Sequence, residues 1–426
     1  MSLGLYISVP FCRTKCSYCN FASDVFSKSA YENYVARLLE DIANVREFAA
    51  DLGCVLGSAL YDTADSIYLG GGTPSILEAA QLLRIFAAVR DQFTLTPNAE
   101  ITVECAPGTL TPTLIDTLLQ CGVNRVSLGV QSFVDQEAQA VGRLHKRVTV
   151  LEEIDRLRKA GLGNINVDLI AGLPHQTAKS WAFSVSETIA AGVPHASVYM
   201  LEVDEDSRLG RELIAGGARY HAHFVPDDDR TADFYQQACE TLAASGIAQY
   251  EISNFARLGS DELCGNKSRH NTKYWTHQPY VGFGVDAHSM LLVGHHEVDR
   301  LEADRHQAVR FATADSLDAY MNRAPHTVTP VSSRAAIEES FFLGLRLNRG
   351  IDFEQLRKDF NDFDPETVAL WEAAIERSVH EGLLEQEVAT LRLTGRGRLL
   401  SNEVFARFLI QETEETKVGT GHVNPR

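Results

Sequence analysis

Leu5-Tyr6-Ile7-Ser8-Val9-Pro10-Phe11-Cys12-Arg13-Thr14-Lys15-Cys16-Ser17-Tyr18-Cys19 passes from a short β-rich run straight into three cysteines. Leu5–Val9 reads as a strand, which puts the cysteines in the loop just past its carboxyl end. In a barrel of parallel strands that is where functional loops gather. Soft thiolates select zinc or iron–sulfur. A structural zinc wants four ligands, and no matching second pair lies nearby.

Outward from this stretch, β-rich runs alternate with helical patterns as far as about Met200, the signature of βα units and a parallel sheet. The strands expected are Leu5–Val9, Ser66–Leu69, Glu100–Glu104, Arg125–Leu128, Asn164–Leu169 and Ser197–Leu201. Val, Ile and Leu dominate them, as suits strands buried on both faces. Amphipathic stretches at Ala30–Ala50, Leu77–Phe93, Pro112–Gln120, Val148–Lys159 and Lys179–Ala190 are long enough to cross over the sheet. No GxGxxG opens the first helix, so the fold class is α/β with a partial (β/α)6 barrel rather than a Rossmann sheet.

Four segments are expected: a barrel over residues 1–205, an irregular extension over 206–328, a small, mostly helical and winged-helix-like domain over 329–412, and a loose tail over 413–426. The extension holds a helix at Thr231–Ala244 and a short strand around Gln249–Ile252. A linker is expected near Ala324–Pro330. The helical domain has helices at Ser333–Leu345, Phe353–Phe360 and Pro365–Glu381, then a hairpin or wing over Leu383–Thr394.

Composition narrows the function. With 426 residues, 45% hydrophobic and 23% charged, the chain is ordinary globular material. Its 39 Lys and Arg against 57 Asp and Glu give a net charge of −18, which repels phosphate backbones and disfavours nucleic acid. The apolar run Leu3 to Phe11 is too short for a membrane span and lacks a signal peptide's basic lead, so a cytoplasmic protein is expected. In that compartment clustered cysteines signal metal or redox chemistry. Cys54, Cys105, Cys121, Cys239 and Cys264 are scattered and read as small core residues.

A cubane cluster ordinarily takes four cysteines, so three leave one iron open. S-adenosylmethionine (SAM) can chelate that iron through its amino and carboxylate groups, and an electron passed to its sulfonium would release methionine and a 5′-deoxyadenosyl radical. Cys12, Cys16 and Cys19 are thus the expected ligands of a [4Fe–4S] cluster. Strand two ends in Gly70-Gly71-Gly72-Thr73-Pro74, where bare backbone lets a ligand approach closely. Glu104, Gln131 with Ser132, and Asp168 stand at the ends of strands three, four and five, and Arg143 could grip a carboxylate bidentately.

The CxxxCxxC spacing with Tyr18 before the last cysteine resembles the radical SAM superfamily. Longer strings resemble the HemW-type heme chaperones, relatives of the oxygen-independent coproporphyrinogen III oxidases of HemN type. They are Tyr68-Leu-Gly-Gly-Gly-Thr-Pro-Ser75, Arg125-Val-Ser-Leu-Gly-Val-Gln-Ser-Phe133, Val167-Asp-Leu-Ile-Ala-Gly-Leu-Pro174 and Gln249-Tyr-Glu-Ile-Ser-Asn-Phe255. The resemblance covers nearly the whole chain and implies that Tyr6, Gly72, Thr73, Glu104, Gln131, Arg143 and Asp168 contact SAM. It also implies heme binding, with the heme region in the extension, and delivery to heme-acceptor proteins, with peripheral membrane contact at most.

Two marks separate the branches. The oxidases resemble this chain except for a fourth cysteine two positions after the third, where Phe21 stands, and for a longer segment ahead of the cysteines. Both favour the chaperone over porphyrinogen decarboxylation; a radical reaction on another substrate is the third reading. His270-Asn-Thr-Lys-Tyr274-Trp275 resembles the stretch proposed to lie near heme, although Thr272 departs from the form of some relatives. His270 is the expected heme ligand, ahead of His288, His277, His221, His223 and Cys264. The oligomeric state is not legible.

Overall fold

A computed structural model describes residues 2–54, 63–259, 265–292 and 308–409; Cys264 and the tail from Thr413 lie outside them. These residues form two compact units that divide between Ser333 and Arg334.

The first unit is built on strands β1 (Leu3–Val9), β2 (Thr63–Gly71), β3 (Thr94–Cys105), β4 (Arg125–Gln131), β5 (Ile165–Ala171) and β6 (His195–Met200). They pair in sequence order and in parallel. Helices α1 (Lys28–Asp51), α2 (Ala79–Gln92), α3 (Pro112–Gln120), α4 (Asp135–Ala140), α5 (Arg147–Lys159) and α6 (Ala178–Ala190) lie in the connections. All six expected strands and all five crossover helices are present. The sheet is an open α/β one, consistent with a partial barrel.

Strand alternation sorts the faces. Leu3, Leu5, Ile7 and Val9 on β1, Val103 on β3, Val126, Leu128 and Val130 on β4, and Ile165, Val167 and Leu169 on β5 are fully buried on one face. Each such side chain contributes about 1.5–3 kcal/mol when withdrawn from water. α1 supplies Tyr34, Leu38 and Ile42 to the core, and α2 supplies Leu82, Ile85 and Phe86. The intervening strand positions are buried too but polar: Ser66, Thr102, Ser127, Asn166, His195 and Ser197. The strands are therefore buried on both faces and apolar on only one. The polar face lines a curled interior, where Tyr68 of β2 lies within electrostatic reach of Asp168 on β5 and Tyr199 on β6.

The sheet continues past both ends of the six. Beyond β6 lie β7 (Ile247–Gln249) and β8 (Asn254–Arg257); beyond β1 lie β9 (Tyr280–Phe283), β10 (His288–Leu292), β11 (Ala308–Ala312) and β12 (Thr327–Val331). Among the described residues the order is β12-β11-β10-β9-β1-β2-β3-β4-β5-β6-β8-β7. The stretch read as irregular extension thus joins the same sheet, and the stretch read as linker contains β12. Pro330 is tolerated there because β12 is an edge strand. Between β6 and β9 come α7 (Arg208–Ala215), α8 (Asp228–Ala244) and α9 (Arg269–Trp275).

The second unit opens with α11 (Ser333–Gly344), which follows α10 (Leu317–Met321), and continues through β13 (Ile351–Asp352), α12 (Phe353–Asp359) and α13 (Pro365–His380). The hairpin of β14 (Leu384–Glu387) and β15 (Thr390–Leu393) completes a small sheet in the order β13-β15-β14. The expected helices and wing are all there. Phe341 stacks on Phe408 at 4.0 Å beside a buried Trp371.

Candidate cluster and cofactor site

The three cysteines occupy the loop after β1. Asp24 N–H donates to Pro10 O and Cys12 N–H to Asp24 O, each at 3.0 Å, closing the loop's base. Lys15 Nζ donates to Phe21 O and Ser23 O at 2.6 Å. The far side is pinned to the segment after β4: Ser17 N–H donates to Val141 O at 3.2 Å and Thr14 Oγ1 to Gly142 O at 2.9 Å. Leu209 N–H of α7 donates to Ser17 O at 2.8 Å.

Cys16 is buried and Cys12 and Cys19 are half-buried. The Cys12 thiol is pushed up chiefly by burial, with Cys19 and Cys16 adding to the effect, while hydrogen bonds from Thr73 and Ser23 oppose it. Cys12 therefore resists ionising without a cation beside it. Among the described residues no three His, Cys, Asp or Glu side chains close around a single ion.

The glycine run at the end of β2 lies against this loop. Gly72 N–H donates to Val9 O at 2.8 Å and Thr73 N–H to Phe11 O at 2.7 Å. Thr73 Oγ1 lies 3.7 Å from Cys12 Sγ. A Cβ on Gly72 would come within 2.7 Å of Phe11 O, and one on Gly70 within 3.1 Å of the Glu104 carboxyl. Backbone crowding requires glycine at position 72, whereas at position 70 the neighbours are the Tyr68 and Glu104 side chains.

Below the loop, the inward side chains of the strands converge. Tyr68 donates to Glu104 Oε1 at 2.8 Å, and Tyr6 stacks on Tyr68 with ring centres 6.2 Å apart. Burial raises Glu104 to about 7; Asp168 adds to this, and Tyr68, the Gly71 amide and Arg143 offset part of it. Asp168 is raised by burial and held back by Ser197, Asn166, Ser127 and Arg143. Arg143 donates to the Tyr18 hydroxyl at 3.0 Å, tying the cysteine loop to this interior. Gln131 adopts a left-handed φ of 70°, a strained conformation of the kind that clusters at ligand sites. A Cβ on Gly129 would lie 3.3 Å from both Arg143 and the Gln131 amide.

The candidates Tyr6, Gly72, Thr73, Glu104, Gln131, Arg143 and Asp168 thus meet in one place beside the three thiols. Ser132 does not: it is buried on the helix side, donating to Glu137 at 2.7 Å and pairing with Ser184. Gln131 Oε1 and Arg143 Nε are buried without a partner among the described residues. Buried polar atoms ordinarily have partners, so these two mark where a polar ligand belongs.

A second network lies deeper and was not anticipated. Asn166 Nδ2 is within hydrogen-bonding distance of Ser127 Oγ, Asp168 Oδ1 and Ser197 Oγ, and Asn166 Oδ1 lies 2.6 Å from His195 Nδ1. His195 Nε2 reaches the Tyr250 hydroxyl at 3.0 Å. These groups orient Asp168. The sequence signal was the strict alternation of polar and apolar residues along each strand, which the count of Val, Ile and Leu obscured.

His270 belongs to that buried layer. Its Nδ1 pairs with Ser66 Oγ at 3.0 Å and its Nε2 with the Tyr274 hydroxyl at 2.7 Å, and it is 1% exposed. Both nitrogens are engaged, so this imidazole cannot reach an iron without breaking two buried hydrogen bonds. The expected heme ligand thus lies buried in the sheet interior with Ser66 and Tyr274 on its two nitrogens. His288 is exposed and lies 3.6 Å from Asp286; His277 follows α9.

A parallel sheet with thiols at the mouth and a ligand-shaped polar interior defines a class, and the comparisons give it a name. Residues 6–184 match the radical SAM superfamily and residues 331–400 the HemN C-terminal domain. The radical SAM class works with a [4Fe–4S] cluster and SAM. The chain is 31% identical to the heme chaperone HemW of Lactococcus lactis, over 96% of this chain and 97% of that one. It is also 31% identical to the heme chaperone HemW of Bacillus subtilis, over 95% and 98%. The chain belongs to the HemW family. It shares its fold with the coproporphyrinogen III oxidase HemN of Escherichia coli, with a TM-score of 0.76 and 22% identity over 95% of this chain and 89% of that one.

Proposed function

We propose that the protein binds heme together with a SAM-ligated [4Fe–4S] cluster and hands heme to acceptor proteins. The observation that carries this reading is end-to-end similarity to proteins named heme chaperones, across both units of the chain. Phe21, standing where the resemblance places an oxidase's fourth cysteine, argues against porphyrinogen decarboxylation.

When bound, a cluster on Cys12, Cys16 and Cys19 offers one open iron to SAM and an electron to its sulfonium. The rest is done by the chain. Glu104 carries the charge that receives the SAM ammonium. The bare backbone at Gly72 and the Thr73 hydroxyl line the approach, and Arg143, with Nε to spare, takes the carboxylate. Gln131 offers a buried carbonyl oxygen to the polar end of SAM, while Tyr6 and Tyr68 wall the pocket with ring surface. Asp168, braced by Asn166, Ser127 and Ser197, answers the ribose hydroxyls.

The proposed setting is the cytoplasm, with acceptors met in solution or at a membrane surface. Among the described residues no helix is long and apolar enough to cross a membrane. The test is anaerobic reconstitution followed by heme titration and transfer to an apo-acceptor, beside an assay for coproporphyrinogen decarboxylation. Stoichiometric heme binding with transfer and no decarboxylation is the expected result. Protoporphyrinogen formation would overturn the chaperone reading.

A further inference from the structure

Two imidazoles from separate segments meet at the end of the sheet that carries the cysteine loop. His175 follows β5, and His221 precedes the short 3-10 turn Ala222–Phe224 after α7. Their ring centres are 5.0 Å apart, and His175 stacks on Phe224 at 4.2 Å. His175 N–H donates to Phe224 O at 2.9 Å, which locks the two segments together.

Both histidines hold left-handed backbone, with φ of 68° and 62°. Such conformations are uncommon outside glycine and gather at ligand clamps. Neither ring nitrogen is hydrogen-bonded within the described residues, in contrast to His270 and His195. His175 is held below its ordinary range by burial, with His221 adding to this, so its lone pair is available.

The surroundings choose the ligand. Phe224 is 56% exposed, and Ile214 and Leu213 on the adjoining α7 are 67% and 51% exposed. Such apolar area does nothing for a bare metal ion, and no third ligand closes around one among the described residues. It suits a flat macrocycle. Arg219, exposed with its guanidinium over Tyr220, offers a cation for a propionate.

We infer that the His175–His221 pair, beside Phe224, supplies the axial imidazole for heme iron. The inference rests on the proposed heme chaperone function and gives that function a location. The site adjoins the cofactor mouth: α7 is bonded to the cysteine loop through Leu209 and Ser17, and Leu173, two residues before His175, packs near Tyr18.

The test is heme titration of the anaerobically reconstituted full chain and its His175→Gly/His221→Gly variant, followed by Soret absorption. Glycine fits a left-handed backbone, so the variant should keep its melting temperature and iron–sulfur absorbance. The expected result is at least about a tenfold loss of heme affinity (about 1.4 kcal/mol) with a displaced Soret band, restored by added imidazole. His270→Gln should bind heme like the parent. An unchanged affinity and spectrum in the double glycine variant would overturn this assignment while leaving the chaperone reading intact. Failure of the parent chain to bind heme would overturn both.

Discussion

Tyr68 on β2 donates its phenolic hydrogen to Glu104 on β3 across 2.8 Å, inside a pocket where burial holds that carboxyl near 7. A hydrogen bond to the charged form favours ionisation. If Glu104 receives the SAM ammonium, SAM affinity rises as pH climbs through about 7. Tyr68→Phe removes a bond to a charged acceptor, worth about 1.5–3 kcal/mol, and should move that midpoint up by about one to two pH units. Equilibrium SAM binding across the neutral range measures it; a midpoint that stays or falls counts against the role given to Glu104.

His270 predicts an acid sensitivity. Burial, with Lys273 adding, lowers it from 6.5 to about 3. Below about pH 6.5 the unfolded chain takes a proton that the folded one refuses, so this residue's contribution to stability is lost on acidification. The difference between the parent and His270→Gln in unfolding free energy should change by about 1.4 kcal/mol per pH unit in that window, the parent losing more. Urea unfolding at several pH values reads it. Parallel curves would show that the imidazole is not held neutral.

Asn166 is the hub of the buried network. Asn166→Leu keeps the volume and strands His195, Asp168 and Ser197 without a shared partner, a loss of about 3 kcal/mol. The urea midpoint should fall accordingly, with SAM affinity falling alongside as Asp168 loses its brace. A stable variant with weakened SAM binding would show that Asn166 serves only orientation.

Gly72→Ala sets a Cβ against backbone atoms, Phe11 O at 2.7 Å and Val9 O at 2.8 Å, so the cysteine-bearing chain must shift. Both cluster content and SAM binding should drop. Gly108→Ala is the control: its φ is +90° but nothing lies within 4 Å, so it carries backbone strain of about 1 kcal/mol and keeps both. Equal behaviour of the two variants would remove the cradle argument.

Cys12→Ala, Cys16→Ala and Cys19→Ala should each abolish the broad iron–sulfur absorption near 400 nm. Cys105→Ala, on the apolar face of β3, and Cys121→Ala, at the end of α3, should retain it. Full cluster content in any of the first three would show that a ligand had been misassigned.

The spacing of Cys12, Cys16 and Cys19 and the run Gly70-Gly71-Gly72 made the site legible, because close approach and metal ligation restrict residue type at fixed offsets. The six parallel strands were legible through their apolar positions. Of the polar positions between them, Glu104 and Asp168 are legible because they stand at strand ends, whereas Ser66, Ser127 and Asn166, deeper on the same face, carry no motif that marks them. Two of the added strands are hard to read for local reasons: Tyr280–Phe283, inside the sheet, is four residues interrupted by Gly282, and Thr327–Val331, at its edge, contains Pro330, which a search for ladders rejects. An imidazole beside aromatics looks the same in a ligand site and in a core; Tyr274 stands one helical turn from His270, but the second partner, Ser66, lies on a distant strand that local sequence does not connect to it.

The position of β1 has a consequence for biosynthesis. This strand is translated long before β9, yet it ends inside the sheet with β2 on one side and β9 on the other, where Gly4 faces Tyr280. Until Tyr280–Phe283 has been translated, one flank of β1 is an unpaired edge, and the thiols that follow it sit at the lip of an unfinished wall. The cysteines are made well before the strand that closes their flank, so a nascent chain stalled ahead of Tyr280–Phe283 holds its sulfurs beside an open edge, without a finished vessel.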